Sequence, residues 1–516
     1  MADRRQDAAA SDTMLHMTSF DTDVLVVGAG PVGLVLAVEL ARRGVATRII
    51  DRRTEPTDES RAVVVHARSL EMMDAMGVVD AIVDSGRRTT ALHFHADGKM
   101  LADVPLDTVD SPYPFSVTTA QTETERILTA RLRELGVEIE RGVELIDFTQ
   151  DGASVQAFTS TGSITCRYLV GTDGASSTVR HHLGQKLEGS FKGERFLMGD
   201  VDATYDLDRR AMHMFASSGG GPALIFPMVG DRVRVIAEID AADRDREATM
   251  EWLQQVCDER GLGAQLRSPR WLTTFEIHHA QVPRYRTGRV FLAGDAAHVH
   301  SPAGGQGMNT GMQDAFNLGW KLAAAVMDTA SETLLDSYHD ERHPVAAHVI
   351  GETTLITRGA TMTSKVARGV RNRLVHVVGG ERFAQRRIAD EMEEYSISYV
   401  HSPIVRKGLH ARVKAGEAAP AVVGTELWPY LVKTRRARPS DHVLLVVKAE
   451  TQPISIPGTT AVAVWDDEIA ERYGLQEHGG IVVIRPDGYI ATVTRVDDVA
   501  AIESALALST TEPEPV

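Results

Sequence analysis

The polar and apolar positions of this chain alternate between short uninterrupted apolar runs and segments of helical period. The run DVLVVGAGPVGLVLAVEL opens with a buried strand, Val24 to Val27, passes through glycines and continues as a helix, Pro31 to Leu40; a second strand, Ala46 to Ile50, completes a βαβ unit. A helix is expected over Ala67 to Met76, a strand over Ala91 to His95, and a helix from Gln121 to Leu135. Tyr168 to Gly171 and Arg289 to Ala293 are further short apolar runs ending in Gly and Asp, as parallel strands with functional C-terminal ends do. Between them, LMGDVDA, AMHMFA, ALIFPM and VRVIAEI, separated by Gly and Asp turns over Phe196 to Ile239, predict an antiparallel insert. Past Met308 the spacing of Met312, Phe316, Gly319 and Leu322 predicts a long amphipathic helix, and a polar helical stretch follows to about His410. The pattern restarts after a linker at 415–424 with the strands HVLLVV and AVAVW, a helix at Asp467 to Tyr473, and IVVIRPDGYIATV. In that last run Pro486-Asp487-Gly488 is a turn, Pro fixing φ and Gly accepting a positive one.

The expected fold class is α/β: a Rossmann-like domain, an inserted antiparallel-sheet domain and a C-terminal α/β domain. The boundaries read as a disordered leader, 1–20; a discontinuous first domain, 21–195 and 286–345, with 75–118 partly in the second; the insert, 196–285; a helical connection, 346–410; the C-terminal domain, 411–510; and a tail, 511–516.

Composition narrows the chemistry only by exclusion. A formal charge of −16 over 516 residues disfavours binding to polyphosphate, so no nucleic-acid partner is expected. Two cysteines, Cys166 and Cys257, form neither a metal spacing nor a C-x-x-C pair, so no metal site and no disulfide framework are expected, and a reducing cytoplasm is the expected location. The first twenty residues lack a signal-peptide core, and no stretch of about eighteen apolar residues free of Gly and Pro predicts a membrane span.

Gly28, Gly30 and Gly33 stand at dinucleotide-fingerprint spacing between strand and helix, and Asp51 follows eighteen residues after Gly33 at the end of the second strand. Gly28 permits the turn, Gly30 lets backbone approach a pyrophosphate and Gly33 allows close helix–strand packing. The helix N-terminus offers free N–H groups to phosphates, and Asp51 is placed to hold an adenosine ribose.

Two later motifs narrow the reading. Together GAGPVG, GTDGASSTVR and GDAAHVHSPAGGQGMNTGMQDAFNLGWKLA resemble the FAD-dependent aromatic hydroxylases of the para-hydroxybenzoate hydroxylase fold, the class A flavoprotein monooxygenases, over about residues 21 to 345. The C-terminal domain resembles the thioredoxin-like appendage of the branch that hydroxylates phenols, aromatic polyketides and rifamycins; without C-x-x-C it is not expected to be redox-active.

The resemblance implies FAD as cofactor, NADPH or NADH as transient reductant and O2 as co-substrate. Oxygen is then donated through a flavin C4a-hydroperoxide to an electron-rich aromatic ring. It implies FAD contacts at Gly28, Gly30, Pro31, Val32, Gly33, Asp51, Arg52, Arg61, Gln121, Asp173, Gly174, Gly294, Asp295, Pro302, Gly305, Gly307, Met308 and Asn309. Asp295 is expected on the ribityl chain, and the carbonyl of Pro302, the catalytic candidate, beside the reacting oxygen and the substrate hydroxyl. His298 is read as structural. The glycine loop Ala303 to Gly307 feeds the helix beyond it, whose N-terminal charge would hold a reduced flavin anionic.

Phe215, Phe226, Pro227 and Met228 are expected to line the substrate pocket, with His93 and His95 on strands of the same sheet. No general base is identified, and His278 and His279 stand where relatives often carry an arginine. The substrate class expected is a bulky phenol, aromatic polyketide or antibiotic-like molecule, and a homodimer is possible. A Baeyer–Villiger or other oxidative flavoenzyme of the same fold, and a flavoprotein that sequesters a drug-like ligand, remain alternatives.

Overall fold

The computed structural model describes residues 20–58, 60–96, 98–216, 221–243, 245–300, 305–327, 329–360, 381–449 and 456–507. Pro302, most of the leader and the tail lie outside them.

The first sheet has eight strands, ordered Arg286–Thr287, Val290–Leu292, Gly162–Gly171, Thr22–Val27, Thr47–Asp51 and Ile139–Arg141 along its main path, with a hairpin of Leu145–Gln150 and Val155–Thr159 beside it. Thr22–Val27 pairs in parallel with Thr47–Asp51 on one side and Gly162–Gly171 on the other, so three glycine-ended turns emerge at one edge. These strands read as unbroken apolar runs because helices cover the sheet. Helix Pro31–Ala41 begins with Pro at its first turn, where no N–H is missed, and buries Leu34, Val35, Leu36 and Val38.

Against it packs the long helix Gln306–Val326. Their close approach needs missing side chains: a Cβ at Gly311 would lie 2.8 Å from Val32, and one at Gly319 2.7 Å from the Glu39 side chain.

The second sheet, also eight-stranded, runs His298–Val299, Gln265–Gln281, Glu188–Thr204, Arg232–Ile239, Ala223–Pro227, Ala211–Ala216, Ala91–Ala96, Lys99–Pro105. Its last two strands come from the excursion at 75–118. One face carries Phe196, Met198, Met212, Met214, Phe226 and Ile236 against Val63, Val64 and Ala67 of the first domain. The other carries Leu197, Phe215, Ile225 and Val235 against Trp252 and Val256 of helix Met250–Glu259. The polar helical stretch is realised as Glu332–Ala360 and Arg382–Met392, and regular structure stops there and not at His410.

The third sheet has four strands in the order Thr459–Val464, His442–Val447, Gly480–Ile484, Ile490–Thr494, the first pair parallel and the rest antiparallel. It docks on the long helix through buried charge. Arg485 donates to Glu341 at 2.6 and 2.9 Å, and Glu341 also accepts from Lys321 and Asn317, both at 2.7 Å, and from Ser402 at 2.6 Å. Asp487, in the Pro-Asp-Gly turn, accepts from the Trp320 indole at 3.1 Å and from Asn317 at 3.3 Å. A second clasp forms at Asp74, which accepts from Tyr113, Trp428 and Arg436 at 2.6 to 2.8 Å.

Glu394, backbone φ 62°, is buried beneath the long helix, accepting from Thr310 at 3.0 Å and from Gln313. Burial pushes its carboxyl up to about 7, against opposition from His66 and Thr310. An unfolded glutamate releases its proton near about 4.3, so this site costs stability as pH rises from there through about 7. Glu394→Gln is expected to raise the melting temperature at pH 8 and to leave it unchanged at pH 4, read by thermal unfolding at both values.

Among the described residues, no helix is long and apolar enough to cross a membrane.

Candidate functional site

At the shared edge of the first sheet's strands lies a crevice of about 180 Å3 lined by Gly28, Gly30, Asp51, Arg52, Arg53, Thr172, Asp173 and Gly174 among others. The three fingerprint glycines have three separate reasons. Gly28 holds φ 105° with Thr172 O 2.5 Å from where its Cβ would be; a Cβ on Gly33 would sit 1.9 Å from the Gly28 carbonyl oxygen. Gly30 has nothing within 4 Å of the missing Cβ, so its bareness serves the crevice and not the fold. The helix behind it starts with no side-chain cap and no acidic residue in its first turn, leaving its N–H groups to the crevice.

Asp51 accepts from the Ala29 N–H and the Arg53 N–H, both at 2.8 Å, which ties the second strand's end to the glycine turn. Asp173 is occupied locally, accepting from Ser177 Oγ at 2.5 Å and the Thr178 N–H at 2.7 Å to cap a short helix. Arg180, the last residue of GTDGASSTVR, donates to Ala175 O at 2.5 Å and Ala296 O at 3.1 Å and so links this loop to the GDAAH loop.

Asp295 is solvent-exposed although protein crowds around its carboxyl, and it is not among the residues that line this crevice. That crowding raises its carboxyl above the usual range, opposed by His298, Arg61 and Arg180. Gly294, φ 59°, would place a Cβ 2.8 Å from Val32, so the GDAAH loop rests directly on the first helix.

Behind the loop His298 meets Asp314 at 2.7 Å, and Asp314 accepts from the Gly294 N–H at 3.1 Å and from Arg342 at 2.7 Å. Burial opposes the charge of Asp314, but Arg342 and His298 outweigh it and hold the carboxylate below its ordinary range. His298 is 1% exposed and acts here as a brace.

Helix Gln306–Val326 begins at Gly305, φ 70°, a left-handed position with Val64 3.0 Å from where its Cβ would be. It has no side-chain cap and no acid in its first turn. Gly307 and Met308 are half-buried at this end. Asn309 is fully buried, donating to Val64 O and Gly305 O at 2.9 Å and accepting from the His66 N–H at 3.0 Å. Its side chain therefore pins the helix to strand Val64–Val65. Gln121 accepts from the Ala62 N–H at 3.1 Å, beside Arg61, and donates to Glu125 at 2.8 Å.

The six expected pocket residues part onto two faces of the second sheet. Phe226 and Met228 lie on the inner face with Val64 and Ala67. Between them, the carbonyl of Pro227 accepts from the hydroxyl of Thr118. Phe215 packs on the outer face with Trp252, and His95 stacks on it at 4.5 Å. His93 pairs in register with His213, two positions along from the His95–Phe215 pair, and shares that outer face. Phe215, His93 and His95 thus lie on the face opposite Phe226 and Met228: strand alternation sends them the other way.

His279 meets Glu194 at 3.4 Å, and Arg286 is held by Glu332 and Asp336 at 2.6 and 2.7 Å. The residues that sequence reasoning passed over are Arg180 and Thr172, whose hydroxyl donates to Gly28 O at 2.9 Å. Both lie inside a quoted motif, and position within it was the available signal.

The chain matches the family of FAD binding domains over residues 21–353 and the phenol hydroxylase C-terminal dimerisation domain over residues 461–512. It is 36% identical over 503 residues to 6-methylpretetramide 4-monooxygenase of Streptomyces rimosus, covering 91% of this chain and 90% of that one. It is 34% identical over 482 residues to rifampicin monooxygenase of Streptomyces venezuelae, covering 91% and 94%. Among solved structures, the anhydrotetracycline hydroxylase OxyS of Streptomyces rimosus superposes with a TM-score of 0.77 at 29% identity, covering 95% of this chain and 99% of that one.

Proposed function

Because the chain belongs to the FAD-dependent aromatic monooxygenases, we propose that it hydroxylates a bulky, electron-rich aromatic molecule of the polyketide or antibiotic kind. It uses FAD, with NAD(P)H as reductant and O2 as co-substrate. Bound FAD supplies the hydride acceptance and the oxygen activation; the protein supplies placement and electrostatics.

In this reading the open face of Gly30, the turn at Gly28 and the bare N–H groups of helix Pro31–Ala41 take the pyrophosphate, with Pro31, Val32 and Gly33 shaping that turn. Asp51 and Arg52 take the adenosine ribose. Asp173, Gly174 and Arg180 form one wall, and Gly294 and Asp295 meet the ribityl chain. Gly305, Gly307 and Met308 present the second helix N-terminus to the pyrimidine edge, with Asn309 holding that helix in place and Arg61 and Gln121 flanking it. Pro302, outside the described residues, keeps the catalytic role that the family resemblance implies. Phe226, Pro227 and Met228 are proposed against the substrate, on an apolar face that excludes water from the reacting centre. A domain division at the boundaries read from the sequence goes with this reading.

The observation that carries the substrate class is the end-to-end likeness to relatives named for 6-methylpretetramide and rifampicin, appended domain included. The test is NADPH consumption by the flavin-loaded enzyme with a polycyclic phenol, a rifamycin and simple phenols, followed by product mass under 18O2. A large substrate is expected to accelerate oxidation and to gain one labelled ring hydroxyl. Acceleration by simple phenols alone overturns the substrate class, and label in an ester overturns hydroxylation.

A homodimer is proposed as well. The support is the match to a dimerisation domain together with Trp465, 60% exposed just past the edge strand Thr459–Val464; light scattering on the native protein decides it.

A further inference from the structure

The outer face of the second sheet carries a cluster that the flavin chemistry does not use. His93 and His95 lie two apart on strand Ala91–Ala96, on one face, and His213 is the register partner of His93 on the neighbouring parallel strand Ala211–Ala216. One ring nitrogen from each of the three falls within 4.8 Å of the others. We propose that His93, His95 and His213 form a binding site for a divalent late transition-metal ion of the Zn2+ class, separate from the cofactor crevice.

The geometry is close to that of a loaded site. His95 Nε2 and His213 Nδ1 stand 3.1 Å apart. Two imidazole nitrogens at about 2.0–2.1 Å from a tetrahedral ion are about 3.3 Å apart, so little movement separates this arrangement from coordination. The far sides of the rings are held as ligand histidines are held. His213 Nε2 lies 2.9 Å from the carbonyl of Asp208, which directs the Nδ1 lone pair toward His95. His93 Nε2 lies 3.3 Å from the carboxylate of Asp103 on the adjoining strand. The His95 ring is fixed by stacking on Phe215 at 4.5 Å.

His213 is buried while His93 and His95 are half-buried, so the cluster has an opening through which an ion enters.

What the ion would do follows from connectivity. His95 and His213 are 118 residues apart in sequence and belong to different excursions of the chain into one sheet. Coordination pins the edge hairpin of Ala91–Ala96 and Lys99–Pro105 to the strand beside it, and an ion that binds the folded chain but not the unfolded one stabilises it by mass action.

The experiment uses the full-length, FAD-loaded protein without a polyhistidine tag, stripped with chelator and titrated with ZnCl2 in a calorimeter. One ion per chain and a raised melting temperature are expected, and His95→Gln and His213→Gln are each expected to weaken binding at least about tenfold while keeping the flavin spectrum. X-ray absorption on the zinc-loaded wild type, expected to give three nitrogen neighbours near about 2.0 Å, stands even where a variant misfolds. No stoichiometric uptake, undiminished uptake by both flavin-retaining variants, or a zinc shell without histidine nitrogens overturns the proposal.

Discussion

Gly30→Val is expected to fold as flavin-stripped wild type does and to purify colourless, while Gly33→Val loses both flavin and stability. The two positions are three residues apart in one motif and differ only in what surrounds them. Gly30 has ordinary extended backbone, φ −78° and ψ −176°, and no protein atom within 4 Å of a new Cβ, so a side chain there enters the crevice alone. Its cost falls on the ligand, and a loss of at least about 100-fold in FAD affinity, about 2.7 kcal/mol, is expected. At Gly33 the Cβ would lie 1.9 Å from the Gly28 carbonyl, which is main chain and cannot swing aside. Overpacking typically costs about 1–3 kcal/mol, and a backbone clash belongs at the upper end or beyond. Flavin absorbance per chain and thermal melts of the stripped proteins read the two effects separately. Full flavin content in Gly30→Val would refute the placement of the pyrophosphate.

Glu341→Ala is expected to destabilise the protein by about 3–5 kcal/mol, because it leaves the buried Lys321 cation without its carboxylate and Arg485 with Asp487 alone. Arg485 and Lys321 both donate to this carboxylate, and all three side chains are at most 1% exposed. Replacing Glu341 and Lys321 together by Leu and Met is expected to recover part of the loss, as apolar substitutes for a buried ion pair do. Burial opposes the charge on Glu341, yet Arg485 and Lys321 overcome it and hold the carboxyl far below its ordinary range. An unfolded glutamate protonates near about 4.3, so the contribution is full above that pH and is lost as pH falls below it. Chemical denaturation at pH 7 and near pH 2 checks both statements. Equal stability of Glu341→Ala and wild type at pH 7 would remove the network from any account of how the third sheet is held.

The parts legible from the chain were those where local pattern and tertiary burial agree. Ala211–Ala216, His442–Val447 and Asp467–Tyr473 fall where the apolar runs place them, and the glycine turn, Asp51 and Asp173 do meet at one crevice. Strand Gln265–Gln281 was missed because it is exposed or half-buried along most of its length and contains Pro269, so neither alternation nor continuity marks it. Which face of the second sheet a residue takes was also hidden. Alternation says that Phe215 and Phe226 differ in parity along their strands only once the register between strands is known. Asn309 and Asp173 sit in cofactor motifs while their side chains are occupied by the fold, a division of labour that needs hydrogen-bond partners to see. The buried Arg485–Glu341–Lys321 set reads in sequence as surface charge, since its bonded partners are 20 and 144 positions apart.

The turn at Asp487 has a consequence for anyone who rearranges this architecture. Its carboxylate reaches Trp320 and Asn317 on the same helix whose opening glycine faces the proposed isoalloxazine. The appended unit is therefore a keystone rather than a passenger. A chimera that exchanges it must carry matching partners for Glu341, Trp320 and Asn317, or the catalytic half inherits unpaired polar groups at the root of this helix.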